Sequence, residues 1–120
     1  GLDGLIVSNT TIAREGLVSG VNANETGGLS GAPLFAMSTK VLAEMYRLTG
    51  GRIPLIGVGG ISSGDDAYAK IRAGASLLQL YSAFPYDGPA LVGRIKAELA
   101  ARVAADGFAH LKDAVGADVK

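Results

Sequence analysis

The residues with the clearest potential for chemistry follow a short apolar run at positions 53–58. That run ends in Gly59 and Gly60, where glycine allows a tight turn and lets a ligand approach the backbone closely. Residues 62–65, Ser-Ser-Gly-Asp, are typical of a helix start, and the free N–H groups of a helix N-terminus bind anions. The stretch therefore predicts a strand, a glycine turn and a helix start that together hold a phosphate. A tight turn that binds nothing is equally compatible with these glycines.

Two further stretches place small polar residues where a site could form. Residues 8–11, Ser-Asn-Thr-Thr, follow an apolar run, and polar residues at the carboxyl end of a strand face the ligand in α/β proteins. Residues 25–31 form a second glycine-rich turn with small hydroxyl groups, which is also compatible with a plain solvent loop. Residues 13–24 are rich in Gly, Asn and Ser and lack periodicity, so they predict a long surface loop.

The charged side chains predict structural roles. His110, the only histidine, lies far in sequence from every predicted strand end, so we do not expect it to act as a base. Asp65 and Asp66 would complement the dipole of the helix that they begin. Arg14 lies in the long loop, and the sequence assigns it no partner. Six basic residues are predicted to lie on solvent-exposed helix faces: Lys40, Arg47, Lys70, Arg72, Arg94 and Lys96.

Composition excludes several classes of function. Eleven basic and eleven acidic side chains cancel, and no stretch concentrates Lys or Arg, so neither a nucleic-acid groove nor a polybasic membrane patch is indicated. The absence of cysteine excludes disulfides, thiolate metal sites and a cysteine nucleophile. No metal site is predicted. No apolar run reaches the roughly 20 residues of a membrane-spanning helix.

Around these stretches the chain alternates between strand and helix patterns. Ser38 is predicted to cap one helix, and Asp87 to cap another that has Pro89 in its first turn. Such alternation is typical of an α/β protein with parallel strands and helical crossovers. The predicted strands are residues 2–7, 53–58 and 76–83, and the predicted helices are residues 39–48, 65–73 and 87–107, with a short helix in the tail.

The turns at 57–64 and 81–83 follow neighbouring strands and could converge on one phosphate. In (β/α)8 TIM barrels the phosphate site commonly follows the last two strands, so the three strands here would be the sixth, seventh and eighth. Residues 1–120 would then be the carboxyl-terminal three βα units of a single, incomplete barrel domain, cut from a longer chain. Such a piece has exposed sheet edges and is expected to be marginal or self-associating.

Four motifs resemble the carboxyl-terminal third of the dihydroorotate dehydrogenase family. They match in order and spacing: SNTT at 8–11, ETGGLSGAPL at 25–34, IGVGGISSGDDA at 56–67 and IRAGASLLQLYSA at 71–83. The connecting segments 38–54 and 87–99 resemble the quinone-dependent, membrane-associated class. The resemblance implies oxidation of dihydroorotate to orotate in pyrimidine biosynthesis, with FMN as cofactor and a quinone as electron acceptor.

The resemblance also assigns roles to individual residues. Asn9 and Thr10 would bind the pyrimidine substrate, and an asparagine amide offers the donor and acceptor that such a ring needs. Ser8 stands at a flavin-contacting position where many relatives have threonine. Serine keeps the hydroxyl group of threonine but lacks its methyl group. The positions implied to bind the cofactor are Ser8, Ser30 and Gly31 at the flavin, Gly60, Tyr81 and Ser82 at its phosphate, and Gly59.

The resemblance places the general base, a flavin lysine and the quinone-channel helices in preceding sequence, so no catalytic residue is expected in this chain. It implies peripheral placement of the parent enzyme at the cytoplasmic side of the bacterial inner membrane, or at the mitochondrial inner membrane in a eukaryote. Two alternatives remain open: a phosphate-binding lyase or isomerase on the same barrel, and a non-catalytic barrel fragment.

Overall fold

A computed structural model of the chain describes residues 1–14, 17 and 25–120. Most of the predicted loop at 13–24 therefore lies outside the described residues. The secondary structure elements are, in order, β1 (Leu5–Val7), a 3-10 turn (Ala32–Leu34), α1 (Phe35–Thr49), β2 (Leu55–Val58), α2 (Gly64–Arg72), β3 (Ala75–Gln79), α3 (Phe84–Asp87), α4 (Ala90–Ala105) and α5 (Leu111–Ala114).

The three strands form one parallel sheet in the order β1-β2-β3. Leu5 pairs with Leu55 and Val7 with Gly57, and the β2–β3 register shifts by one residue between Leu55 and Ile56. The predicted α/β class and parallel pairing are confirmed. The strands are shorter than predicted, because the flanking prolines, glycines and polar residues form turns rather than ladder pairs.

The core lies between the sheet and the helices. Leu42 of α1, Leu55 of β2, Ala75 of β3 and Ile71 of α2 are fully or almost fully buried in one cluster. A second cluster joins α2 to α4 through Ala67, Leu91 and Ile95. Burial of one such leucine or isoleucine stabilises the fold by roughly 2 kcal/mol, so these contacts hold the helices to one face of the sheet.

Two predicted helix caps are wrong. α1 begins at Phe35, because a 3-10 turn containing Pro33 leads into it, and Ser38 is a buried residue within the helix. Asp87 ends α3, Gly88 follows with a φ of +74°, and Pro89 takes the cap position of α4. The cap of α2 is as the sequence predicts: the Ser63 hydroxyl accepts a hydrogen bond from the Asp66 N–H at 3.1 Å.

The prediction of solvated basic residues is wrong at two positions. Lys70 is fully buried. Arg72 is only 28% exposed and forms ion pairs with Asp106 at 2.8 Å and Asp118 at 2.5 Å, which tie α2 to the segments before and after α5. The side chains of Lys40, Arg47, Arg94 and Lys96 are exposed, as predicted.

The second face of the sheet carries no helix among the described residues. Ile6 and Leu77 on this face pair in register with Ile56 and are 62% and 63% exposed. β1 and β3 are also the edges of the sheet, as the sequence predicts. None of the described helices is long and apolar enough to cross a bilayer. The chain thus presents an apolar sheet face with two unpaired edges.

We expect the 120-residue chain, expressed alone, to self-associate, because exposed apolar strands and unpaired edges recruit further strands. The double variant Ile6→Lys with Leu77→Lys should shift the chain toward a monomer in size-exclusion chromatography with light scattering. Leu48→Lys is the matched control, since Leu48 is 70% exposed on a helix, away from the sheet. A monomeric wild-type chain at micromolar concentration would contradict the expectation.

Candidate functional site

The carboxyl ends of the three strands open onto one cavity of about 1000 Å³. Parallel strands end at the same edge of a sheet, so residues far apart in sequence meet there. The cavity lining includes all nine residues that the sequence predicts for cofactor and substrate: Ser8, Asn9, Thr10, Ser30, Gly31, Gly59, Gly60, Tyr81 and Ser82. Their individual binding roles stay predictions.

A short antiparallel bridge brings the first two motifs together. The Thr11 N–H donates to the Leu29 carbonyl at 3.2 Å, and the Leu29 N–H donates to the Thr11 carbonyl at 2.6 Å. Arg14 spans the same junction, with guanidinium hydrogen bonds to the carbonyls of Thr11 at 3.2 Å and Gly27 at 2.6 Å. The sequence assigned Arg14 no partner, because backbone carbonyls leave no signal in a pattern of side chains.

A hydroxyl contact connects the second motif to the last strand. Ser82 Oγ and Ser30 Oγ lie 3.2 Å apart although the residues are 52 positions apart in sequence. A Cβ added to Gly31 would meet the Ser82 Cβ at 3.6 Å, which is an ordinary van der Waals contact. The two turns therefore form one continuous wall of the cavity.

The glycine turn after β2 is packed directly against α1. Gly59 and Gly60 have φ values of +108° and +74°, in the left-handed region that favours glycine. A Cβ on Gly60 would lie 2.6 Å from the Cβ of Phe35, and one on Gly59 would lie 2.8 Å from Ser38 Oγ. Close packing on the helix, together with φ, therefore requires these glycines, and approach of a ligand is not the only reason for them.

Backbone donors are free on the cavity wall. The N–H groups of Gly60, Tyr81 and Ser82 have no acceptor within the described ranges. Unpaired N–H groups are satisfied by a ligand or by water, and several that share one concave wall favour an anion. This part of the cavity has the chemistry of a phosphate site.

The start of α2 contributes less to that site than the sequence predicts. The Gly64 N–H donates to the Glu98 carboxylate at 2.6 Å, and Asp66 accepts at 3.0 Å from both the N–H and the hydroxyl of Ser62. Together with the Ser63 cap, these carboxylates occupy donors that were expected to face a phosphate. Glu98 comes from α4, and only tertiary packing brings it to this position.

Asn9 lies in the cavity with part of its amide already engaged. Its side-chain oxygen accepts a hydrogen bond from the Thr10 N–H at 2.8 Å, which fixes the orientation of the amide. Among the described residues the two N–H groups of the amide have no acceptor, so they and one lone pair on its oxygen can bind a ligand. Asp87 also lines the cavity, a position that the sequence did not predict because Asp87 was assigned to a helix cap.

Acidic residues elsewhere are structural. Asp65 pairs with Arg102 at 2.6 Å, and that guanidinium lowers the pKa of the Asp65 carboxyl.

His110 is exposed at the start of α5. Within residues 1–14, 17 and 25–120, no three potential ligands among His, Cys, Asp and Glu come together to hold a metal ion.

Lys70 lies buried behind the glycine turn. Its ammonium donates to Ser38 Oγ at 2.5 Å and lies 5.0 Å from the centre of the Phe35 ring. Ser38 Oγ lies 3.1 Å from the Phe35 carbonyl oxygen and 3.2 Å from the Gly59 carbonyl oxygen, and its one proton is shared between these two acceptors. A signal in the sequence could have located Lys70, because it is three residues after Ala67 and three before Ala73, both of which are buried.

Burial lowers the pKa of Lys70 to about 8, and the attraction of Asp66 opposes that shift only in part. The cation is desolvated, and its compensation comes from one hydroxyl group and one aromatic ring. Burial of this cation is therefore costly, and the cation lies directly behind the turn that offers free N–H groups.

Comparison with known proteins is consistent across sequence and structure. Residues 1–103 match the family described as dihydroorotate dehydrogenase. The chain is 87% identical over 119 residues to "Dihydroorotate dehydrogenase (quinone)" of Parvibaculum lavamentivorans, covering 99% of this chain and 34% of that protein. It is 63% identical over 120 residues to the mitochondrial protein of that name from Oryza sativa, covering 99% of this chain and 26% of that protein.

Solved structures give the same result. The chain matches a ligand-free DHODH crystal structure from Eimeria tenella with a TM-score of 0.94 and 47% identity, covering 99% of this chain and 33% of that one. A second structure, in complex with ferulenol, matches with a TM-score of 0.93, 48% identity and coverage of 98% and 31%. The chain spans about a quarter to a third of the length of these relatives.

The buried lysine makes a pH-dependent prediction. Between about pH 8 and pH 10.5 the unfolded chain holds a proton that folded Lys70 has released, so the free energy of unfolding should rise with pH in that window. Relative to Lys70→Met, the wild-type chain should gain at most about 3.5 kcal/mol, since the pKa falls from 10.5 to about 8 and one pKa unit corresponds to about 1.4 kcal/mol.

Urea denaturation at the two ends of that window measures the gain. Lys40→Met, which removes an exposed lysine on α1, should behave as the wild-type chain. An equal pH dependence in the wild-type chain and in Lys70→Met would show that Lys70 does not titrate in this way.

Proposed function

We infer a function from one premise: the chain belongs to the dihydroorotate dehydrogenase family. We propose that it forms part of an FMN-dependent enzyme that oxidises dihydroorotate to orotate and passes the electrons to a quinone. The observation that carries the proposal is that all nine residues implied by the resemblance line one cavity. Because the chain spans a third of its relatives, the activity is proposed for a whole-length protein that contains it.

The fold supports placement in a (β/α)8 barrel. The sheet is parallel, its helices cover one face, and its other face exposes Ile6 and Leu77. A barrel covers that face with side chains from its remaining strands and pairs both edges. We propose that β1, β2 and β3 are the last three strands of such a barrel and that the described residues form one part of a single domain.

The cavity fits the phosphate end of FMN. The free N–H groups of Gly60, Tyr81 and Ser82 offer donors to phosphate oxygens, and the left-handed backbone at Gly59 shapes the turn. Ser8, Ser30 and Gly31 line the same cavity, on the segments after β1 and before α1, where they would contact the flavin. FMN, when bound, supplies the hydride acceptor of the reaction.

The substrate role falls to the segment after β1. The Asn9 amide, oriented by the Thr10 N–H, would donate to carbonyl groups of the pyrimidine and hold the ring against the flavin. Thr10 lies beside it in the cavity. These residues bind and orient, and neither is suited to remove a proton. We propose that the general base, the flavin lysine and the quinone site belong to the two thirds of the relatives that this chain does not cover.

The location of the whole-length protein follows from the same inference. Quinones dissolve in membranes, so we propose peripheral association with the bacterial inner membrane, or with the mitochondrial inner membrane in a eukaryote. Relatives of both kinds exist, since the Oryza sativa protein carries the word mitochondrial in its name and the Parvibaculum protein is bacterial.

A chimera tests the proposal directly. This chain would replace the matching third of the Parvibaculum lavamentivorans protein, to which it is 87% identical. We expect the purified chimera to be yellow, to show flavin absorbance and to form orotate from dihydroorotate with a quinone analogue. A well-folded chimera without flavin would contradict the proposal and favour a phosphate-binding lyase or isomerase.

In the chimera, Asn9→Ala should reduce turnover about ten-fold or more and leave the flavin content unchanged. The reason is that a ligand group left without its hydrogen bond loses about 1 to 3 kcal/mol. Ser76→Ala, a change at an exposed residue of β3 outside the cavity, is the control. Equal losses of flavin and turnover would place Asn9 in the cofactor site instead.

The 120-residue chain alone should not oxidise dihydroorotate. Its cavity carries donors for a phosphate, and we propose no base within it. The flavin ring would lie on an open sheet and be loosely held. The assay supplies excess FMN, dihydroorotate and a quinone analogue and follows orotate, with the chimera as positive control. Turnover near that of the chimera would show that the base lies in this chain.

A further inference from the structure

Lys70 is a buried cation whose contacts lead to the phosphate turn. Its ammonium donates to Ser38, and the Ser38 hydroxyl shares its proton between the Gly59 carbonyl at 3.2 Å and the Phe35 carbonyl of its own helix at 3.1 Å. Burying an ammonium is costly unless hydrogen bonds and counter-charges compensate for lost water. A helix face can be filled by an apolar side chain at no such cost. The contacts of Lys70 therefore suggest a role beyond packing.

The charge of Lys70 is poorly compensated by its surroundings. Among the described residues, no carboxylate forms an ion pair with it. Asp66, on the same helix, attracts it through space, but the Asp66 carboxylate accepts hydrogen bonds from Ser62. The Phe35 ring contributes a weak cation–π contact at 5.0 Å. A dianion bound at the adjacent turn would supply the counter-charge.

Peptide geometry connects Lys70 to the ligand side of the turn. The Gly59 carbonyl and the Gly60 N–H belong to one planar trans peptide, so they point in opposite directions. Ser38 holds the carbonyl toward α1 and Lys70, which aims the Gly60 N–H away from them. Gly60 lines the cavity, and its N–H has no acceptor among the described residues.

We propose that Lys70 is a positioning residue for the FMN phosphate. Through Ser38 it fixes the peptide that presents the Gly60 N–H, and its buried charge strengthens the attraction of the turn for a phosphate dianion. The inference rests on the proposed function, since it concerns the phosphate site of the same cavity. It assigns Lys70 and Ser38 to phosphate selectivity, although neither lines the cavity.

The test compares FMN with riboflavin, which lacks the phosphate, in the chimera stripped of flavin. Lys70→Met should weaken FMN binding about ten-fold or more, because a hydrogen bond and a charge are lost, and should change riboflavin binding by less than about two-fold. Ser38→Ala should weaken FMN binding in the same selective way but less strongly. Lys70→Arg should restore part of the FMN affinity, and Lys40→Met should change neither affinity.

The outcomes separate this inference from the proposed function. Equal weakening of FMN and riboflavin in Lys70→Met would reveal a purely structural role and overturn the inference alone, as would unchanged FMN binding. An unmodified chimera that binds FMN no better than riboflavin would overturn the phosphate site itself. If Lys70→Met fails to fold, Ser38→Ala and Lys70→Arg test the inference instead. Weaker binding of FMN with unchanged binding of riboflavin would support the inference. Unchanged binding of FMN in both variants would contradict it.

Discussion

The packing of the turn after β2 against the start of α1 is the constraint on which the site depends. Gly60 touches Phe35 so closely that any side chain there would collide with the helix, and Ser38 bonds to the Gly59 carbonyl. The contact fixes the path of the chain at the carboxyl end of the central strand. The walls formed after β1 and β3 are then arranged on either side of this turn.

Helices α1 and α2 carry both apolar side chains that fill the core and polar side chains that point toward the turn beside the cavity. Leu42 and Ile71 fill the space beneath the sheet, as apolar residues at helical spacing do. Lys70 and Ser38 stand in the same interior but carry polar groups toward the turn. Burial is favourable for the first pair and costly for the second. The proposed positioning role of Lys70 and Ser38 would account for the presence of these two polar side chains in the interior.

The two faces of the sheet also differ in how complete they are. One face is sealed by helices, whereas the other presents Ile6 and Leu77 to solvent, next to a cavity whose lining comes from all three strand ends. Relatives that are three times as long fit this picture. In the barrel that we propose, a site at the mouth takes contributions from many strands, so these three strands would carry only part of the donors.

The sequence by itself determined the alternation of strand and helix, the parallel sheet and the segments that meet in the cavity, and the motif resemblance selected nine residues within those segments. It could do so because glycine turns and polar residues after apolar runs are local signals, and parallel strands bring their carboxyl ends to one edge. The motif resemblance placed the chain in its family, and comparison with relatives confirmed that placement.

Only the tertiary structure decided which polar groups are free and which are used. Glu98 reaches the Gly64 N–H from α4, Arg14 finds backbone carbonyls, and Lys70 is buried against Ser38. Each contact joins residues from different segments of the chain, so no local pattern records it. Helical spacing places Lys70 on the face of α2 that also carries Ala67 and Ala73, but only the packing of α2 against α1 and the turn shows that its ammonium contacts Ser38.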